Sequence, residues 1–92
     1  MTDEVLATVN IVRSPLIFNG APRIEGHRIA VHHIISYLTT DLGGRGSKSI
    51  QELEKDFKLR PAQIYAALSY YEDNKAETDN LLEEQERMYW ED

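Results

Sequence analysis

Apolar residues recur at helical spacing in three places along this chain. Val31, Ile34, Ile35 and Leu38 fall at i, i+3, i+4 and i+7, and Ile64, Ala67, Leu68 and Tyr71 repeat that stripe. Between them Ile50, Leu53 and Phe57 share one face. The pattern predicts a first helix over roughly 30–40, a short second ending near Phe57, and a third opening at Pro61. Ser49-Ile50-Gln51-Glu52 is a capping box, in which the Ser49 hydroxyl accepts from the third helical N–H while Glu52 reaches back. Pro61 suits a first helical position, where its missing N–H costs nothing. With Lys58-Leu59-Arg60 as a three-residue turn, helices two and three read as a helix-turn-helix, and helix one in front completes a homeodomain-like three-helix unit.

Ahead of the helices the chain is β-prone. Residues 5–12 predict an N-terminal strand that Ser14-Pro15 ends, followed by a short extended piece at Ile17-Phe18 and a turn at Asn19-Gly20. Arg23-Ile24 and Arg28-Ile29 flank Gly26, which predicts a tight hairpin between 22–24 and 28–30, turned by a residue that tolerates positive φ. Strands this short need helices or another copy to lean on, and their open edges predict a homodimer. Arg23 and Arg28 then stand as cross-strand neighbours on a polar face, or pair with carboxylates across an interface. Asp41–Lys48, with three glycines in four residues, predicts a flexible loop; it lacks the spacing of a phosphate-cradling loop. Beyond Asn74, Leu81, Leu82, Gln85, Met88 and Tyr89 lie to one side of a helix around 77–90. Asn74 is a candidate stop, but no Gly or Pro intervenes, so continuation of the third helix is slightly favoured over a separate fourth. The predicted fold is mainly α within one domain over residues 1–92: a β-hairpin element (5–31), the helix-turn-helix unit (31–74) and a helical tail (75–92).

Charge changes this picture only in the tail. The net charge is −6, but residues 72–92 alone carry −7, leaving the body at +1. A near-neutral body is a poor match to a strong free-standing DNA binder, whose affinity comes mostly from phosphate contacts. The acidic tail is either a solvated helix surface or a docking surface for a basic partner. A chain of 92 residues buries only roughly 60–65% of its unfolded surface, so its core is modest. No apolar run of about 18 residues exists to span a membrane. The acidic start Met1-Thr2-Asp3-Glu4 has no apolar stretch behind it, and there is no cysteine, which together predict a cytosolic protein.

Candidate chemistry is sparse. His27, His32 and His33 form the one metal-like group, yet adjacent helical residues point about 100° apart and no carboxylate stands at zinc-site spacing. They read as surface or interface histidines, and no metal or other cofactor is expected. No serine sits in a nucleophile-elbow context, and the chain does not read as an enzyme. For DNA, Gln63 is the one base-reading type near the outward face of the third helix, with Lys55, Lys58 and Arg60 placed for backbone contacts. The small residues Ala62, Ala66 and Ser69 on that face equally suit close helix packing. For a protein partner, Leu81, Leu82, Met88, Tyr89 and Trp90 would supply apolar anchors among the acids of the tail.

The run Pro22-Arg23-Ile24-x-Gly26-x-Arg28-Ile29-x-Val31, the helix to Leu38, then Ile50…Asp56-Phe57-x-Leu59…Ile64-x-Ala66-Ala67-Leu68-x-Tyr70, resembles the domain-of-unknown-function 433 family over about residues 9–72. The resemblance implies a small prokaryotic protein with a homeodomain-like helix-turn-helix, of which many are described as antitoxin-like partners of PIN-domain-type nuclease toxins. The chain departs from the family pattern at His27 (usually Thr), at Ala30 (usually Pro), in a longer loop over Asp41–Lys48, and at Arg60, where Thr or Ser would cap the third helix. The expectation is an antitoxin-like interaction protein that binds a PIN-type nuclease toxin through its acidic tail. The alternatives are a helix-turn-helix DNA-binding transcriptional regulator and an oligomeric structural module without DNA binding.

Overall fold

A computed structural model describes residues 9–90, with side chains as far as Arg87. The fold is mainly α. Strand β1 (Ile11–Val12) pairs antiparallel with β2 (Arg23–Ile24), Ile11 opposite Ile24 and Val12 opposite Arg23, and helices α1 (Val31–Tyr37), α2 (Ile50–Phe57), α3 (Pro61–Asp73) and α4 (Lys75–Trp90) follow. Short 3-10 turns stand at Phe18–Gly20 and Thr40–Leu42. Of the expected N-terminal strand, residues 5–8 lie outside the described residues.

The hairpin is wired differently from the expectation. The ladder partner of Arg23–Ile24 is Ile11–Val12, while residues 28–30 contribute one bridge, Arg23 with Ala30, before α1 begins. Gly26 still turns the chain, at φ 83°. Ile17-Phe18 does not continue as an extended piece: Phe18 and Asn19 enter the left-handed region at φ 51° and 54°. Arg23 faces inward, its guanidinium donating to the Ser14 hydroxyl and to the carbonyls of Ile24 and His27.

The core forms where the three stripes converge. Val31, Ile34, Ile35 and Leu38 are at most 1% exposed, and Ile24, Leu53, Leu59, Ile64 and Ala67 close around them. The capping box of α2 is present, with Ser49 Oγ accepting from the Glu52 N–H at 3.1 Å. At the start of α3 the missing hydroxyl cap is partly replaced, because Gln63 Oε1 accepts from the Arg60 N–H at 2.7 Å.

The segment after α1 is built, not flexible. Helix α1 ends at Tyr37, earlier than the predicted 40, and Leu38 turns extended at ψ 142°. The carbonyls this leaves open are then satisfied from the glycine-rich loop: Arg45 N–H donates to Ile35, Lys48 N–H to Tyr37 and Gly46 N–H to Leu38, each at 2.8 Å. Gly44 and Gly46 are required by this approach, since a Cβ at either would press into the carbonyl oxygens of residues 36–38.

Continuation of the third helix into the tail is also overturned. Asn74 leaves helical geometry at φ −138° and closes α3 by donating its side-chain amide to the Tyr70 carbonyl. Helix α4 then folds back along α1 and α3, burying Thr78 and Leu82.

Candidate interaction surfaces

Helix α4 divides in two. Its first half is clasped to the body by two polar clusters. Glu77 accepts from Arg13 at 2.6 Å and from the Tyr70 hydroxyl at 2.6 Å, while Arg13 also donates to Tyr70 at 3.0 Å. Asp79 Oδ1 accepts from Arg45 at 2.8 Å and from the Tyr71 hydroxyl at 2.9 Å. The Tyr70 hydrogen bond, with Arg13 behind it, holds the Glu77 carboxyl below the usual range. Past Leu82 none of the described side chains is buried. Residues 83–87 are all exposed, and three of the five are Glu.

The anchors expected on the tail therefore separate. Leu82 is a core residue, 6% exposed, and is not available to a partner. Leu81 is half-buried against the segment at Phe18–Ala21. The side chains of Met88, Tyr89 and Trp90 lie outside the described residues.

The candidate DNA residues separate as well. Lys55, Lys58 and Arg60 are exposed at the corner between α2 and α3, where Lys58 takes a left-handed conformation at φ 56°. Gln63 is 6% exposed, with its side-chain oxygen committed to the Arg60 N–H, so it is not free to read bases. Asn10 and Glu25 border the same hollow as Arg60 and Gln63, adding an acid beside the basic corner.

The histidines are not all at the surface. His32 is buried at 7% exposure and lies against His33, with ring centroids 4.3 Å apart. His33 Nδ1 accepts from the Ala30 N–H at 3.2 Å, supplying a reach-back contact at the start of α1. Burial, reinforced by the neighbouring His33, lowers the pKa of His32 to about 4. Between pH 6.5 and 4 the unfolded chain takes up a proton there that the folded chain refuses, so stability falls as pH drops through that window. An NMR titration of the His32 imidazole should show a midpoint near 4; a midpoint near 6.5 would place the ring in water. Among the described residues no three His, Cys, Asp or Glu side chains converge on a metal position. No helix there is long and apolar enough to cross a membrane.

A third surface had no counterpart in the sequence reading. Tyr37 stacks on Phe57 at 5.3 Å, Phe18 meets His33 edge-on at 4.9 Å, and Leu16 beside them is 97% exposed. The class of protein this defines is a small, mainly helical domain with a short two-stranded N-terminal ladder. The chain belongs to the family described as Protein of unknown function (DUF433), whose model matches residues 11–71, from β1 to near the end of α3. No curated protein and no solved structure matches it. Helix α4 lies beyond the matched residues.

Proposed function

We propose that this protein is a non-catalytic, antitoxin-like interaction module of the cytosol, which docks a basic partner of the PIN-nuclease type through the distal half of α4. The observation that carries the reading is the division of α4: one half is clasped to the body, and the other runs on as an acidic helix whose described side chains, residues 83–87, are all exposed. A helical segment of this length gains little from intrinsic propensity alone, so a partner groove supplies the packing it lacks. The nuclease identity comes from the family resemblance; the acidic helix supplies the charge for a basic groove. DNA binding has narrower support in the exposed Lys55, Lys58 and Arg60, which suit phosphate contacts without base reading.

The test is co-purification with the product of the adjacent gene, comparing the natural chain with the Glu83→Lys, Glu86→Lys double variant. Both positions are exposed, so the fold is retained. Affinity for the partner should fall by about tenfold or more, with a weaker salt dependence than the natural pair shows. Equal binding by both chains would remove the docking role of α4.

A further inference from the structure

Phe18 sits at the middle of a surface whose two sides carry opposite charge. Its backbone occupies φ 51°, a strained conformation for a bulky residue, and Asn19 follows it there. The result is an apolar ridge, Phe18 at 38% exposure beside Leu16 at 97%. On one side of the ridge lies a hollow of about 220 Å³ lined by Phe18, Arg28, Ile29, His33, Tyr37 and Phe57. Arg28 is the one formally charged side chain in that lining, and among the described residues no carboxylate pairs with it. On the other side, residues 18–21 face Asn80, Leu81 and Glu84 of α4. Glu77 and Arg13 also border that groove but neutralise each other, which leaves Glu84 as its uncompensated charge.

A two-fold interface brings one patch onto its own copy, so it has to be self-complementary. An apolar centre with a lone cation on one flank and a lone anion on the other meets that condition. We infer that two copies of this chain pair through the Leu16–Phe18 ridge. The ridges meet at the two-fold axis, and Arg28 of each copy faces the partner's Glu84. Aromatic side chains and Arg are also the types enriched where protein surfaces meet. The strand edges, which the sequence offered as the dimer contact, are not needed for this assembly.

Sedimentation equilibrium of the full chain tests the assignment without any other partner, so its outcome is independent of what binds distal α4. The natural chain should dimerise with a dissociation constant in the micromolar range or tighter. Leu16→Asp should weaken the dimer by about tenfold or more with an unchanged circular dichroism spectrum, because Leu16 is almost fully exposed in the monomer. Arg28→Glu and Glu84→Arg should each weaken it by about threefold or more at low salt, and the double exchange should restore it. A natural chain that stays monomeric at about 100 µM overturns the proposal, as does a dimer indifferent to Leu16→Asp. A double exchange no tighter than the single variants overturns the Arg28–Glu84 pairing.

Discussion

Replacing Gly46 by Ala should lower the melting temperature by about 12 °C or more, corresponding to a loss of about 3 kcal/mol or more for a domain of this size. The added methyl group would meet the carbonyl oxygens of Ser36 and Tyr37, backbone atoms that cannot swing aside as a side chain would. Relief requires the loop to lift, which breaks the Gly46 bond to Leu38 and strains the adjoining bonds from Arg45 and Lys48. The Leu38 carbonyl would then lose its donor, and those of Ile35 and Tyr37 would hold theirs less well. Gly26→Ala is the control: nothing lies within 4 Å of that position, and its cost is the positive φ alone, about 1–2 kcal/mol. Thermal melts of both variants check the ranking. If Gly46→Ala melts no lower than Gly26→Ala, the loop is not packed as described.

Cutting the chain after Asn74 should abolish cooperative unfolding, although every residue matched by the family model remains. The cut removes Leu82 and Thr78 from the core and uncovers the faces of α1 and α3 that they cover. Burial of one leucine is worth about 1.5–3 kcal/mol, and loss of the Glu77 and Asp79 carboxylates leaves Arg45 and the Tyr71 hydroxyl without that acceptor and reduces the other cluster to its Arg13–Tyr70 bond. Against a total stability of about 5–14 kcal/mol for 92 residues, the leucine, the two partly exposed ion pairs and the uncovered faces of α1 and α3 together remove a large share. A cut after Glu86 retains the α4 side chains that pack on the body and should melt close to the intact chain. Denaturation followed by circular dichroism separates the two; a folded product of the shorter cut would make α4 an appendage. For the same reason, removing all of α4 is a poor test of partner docking, since it destroys the domain along with the acidic surface.

The helical part of the fold was legible because it depends on local spacing. The stripes from Val31 to Tyr71 fall on the core, with Ile50, Phe57 and Leu68 half-buried at its margin, and Ser49 with Glu52 marked the start of α2. Gln63 was not legible as a cap partner: its polarity points to base reading, and its reach-back to the Arg60 N–H is shown by the structure. The glycines of the loop misled because sequence does not distinguish a glycine that frees the chain from one that lets two backbones touch. Gly44 and Gly46 belong to the second kind, and that requirement comes from the end of α1, which lies elsewhere in the chain. The break at Asn74 was half legible: Asn is a candidate stop, but without Gly or Pro the packing available to Thr78 and Leu82 decides that the chain turns there. Of the candidate surfaces, the acidic face of α4 is written in its composition. The Phe18 ridge is not, because it depends on a backbone conformation that Phe seldom adopts.

The Arg13 clasp also bears on how the molecule comes into being. Its acceptors, Tyr70 and Glu77, stand 57 and 64 residues further along the chain. During synthesis the first strand emerges long before either acceptor has been made. Its anchorage to α3 and α4 has to wait until Tyr70 and Glu77 have been translated, so β1 is fastened to the helical body only after α1, α2 and α3 have been made.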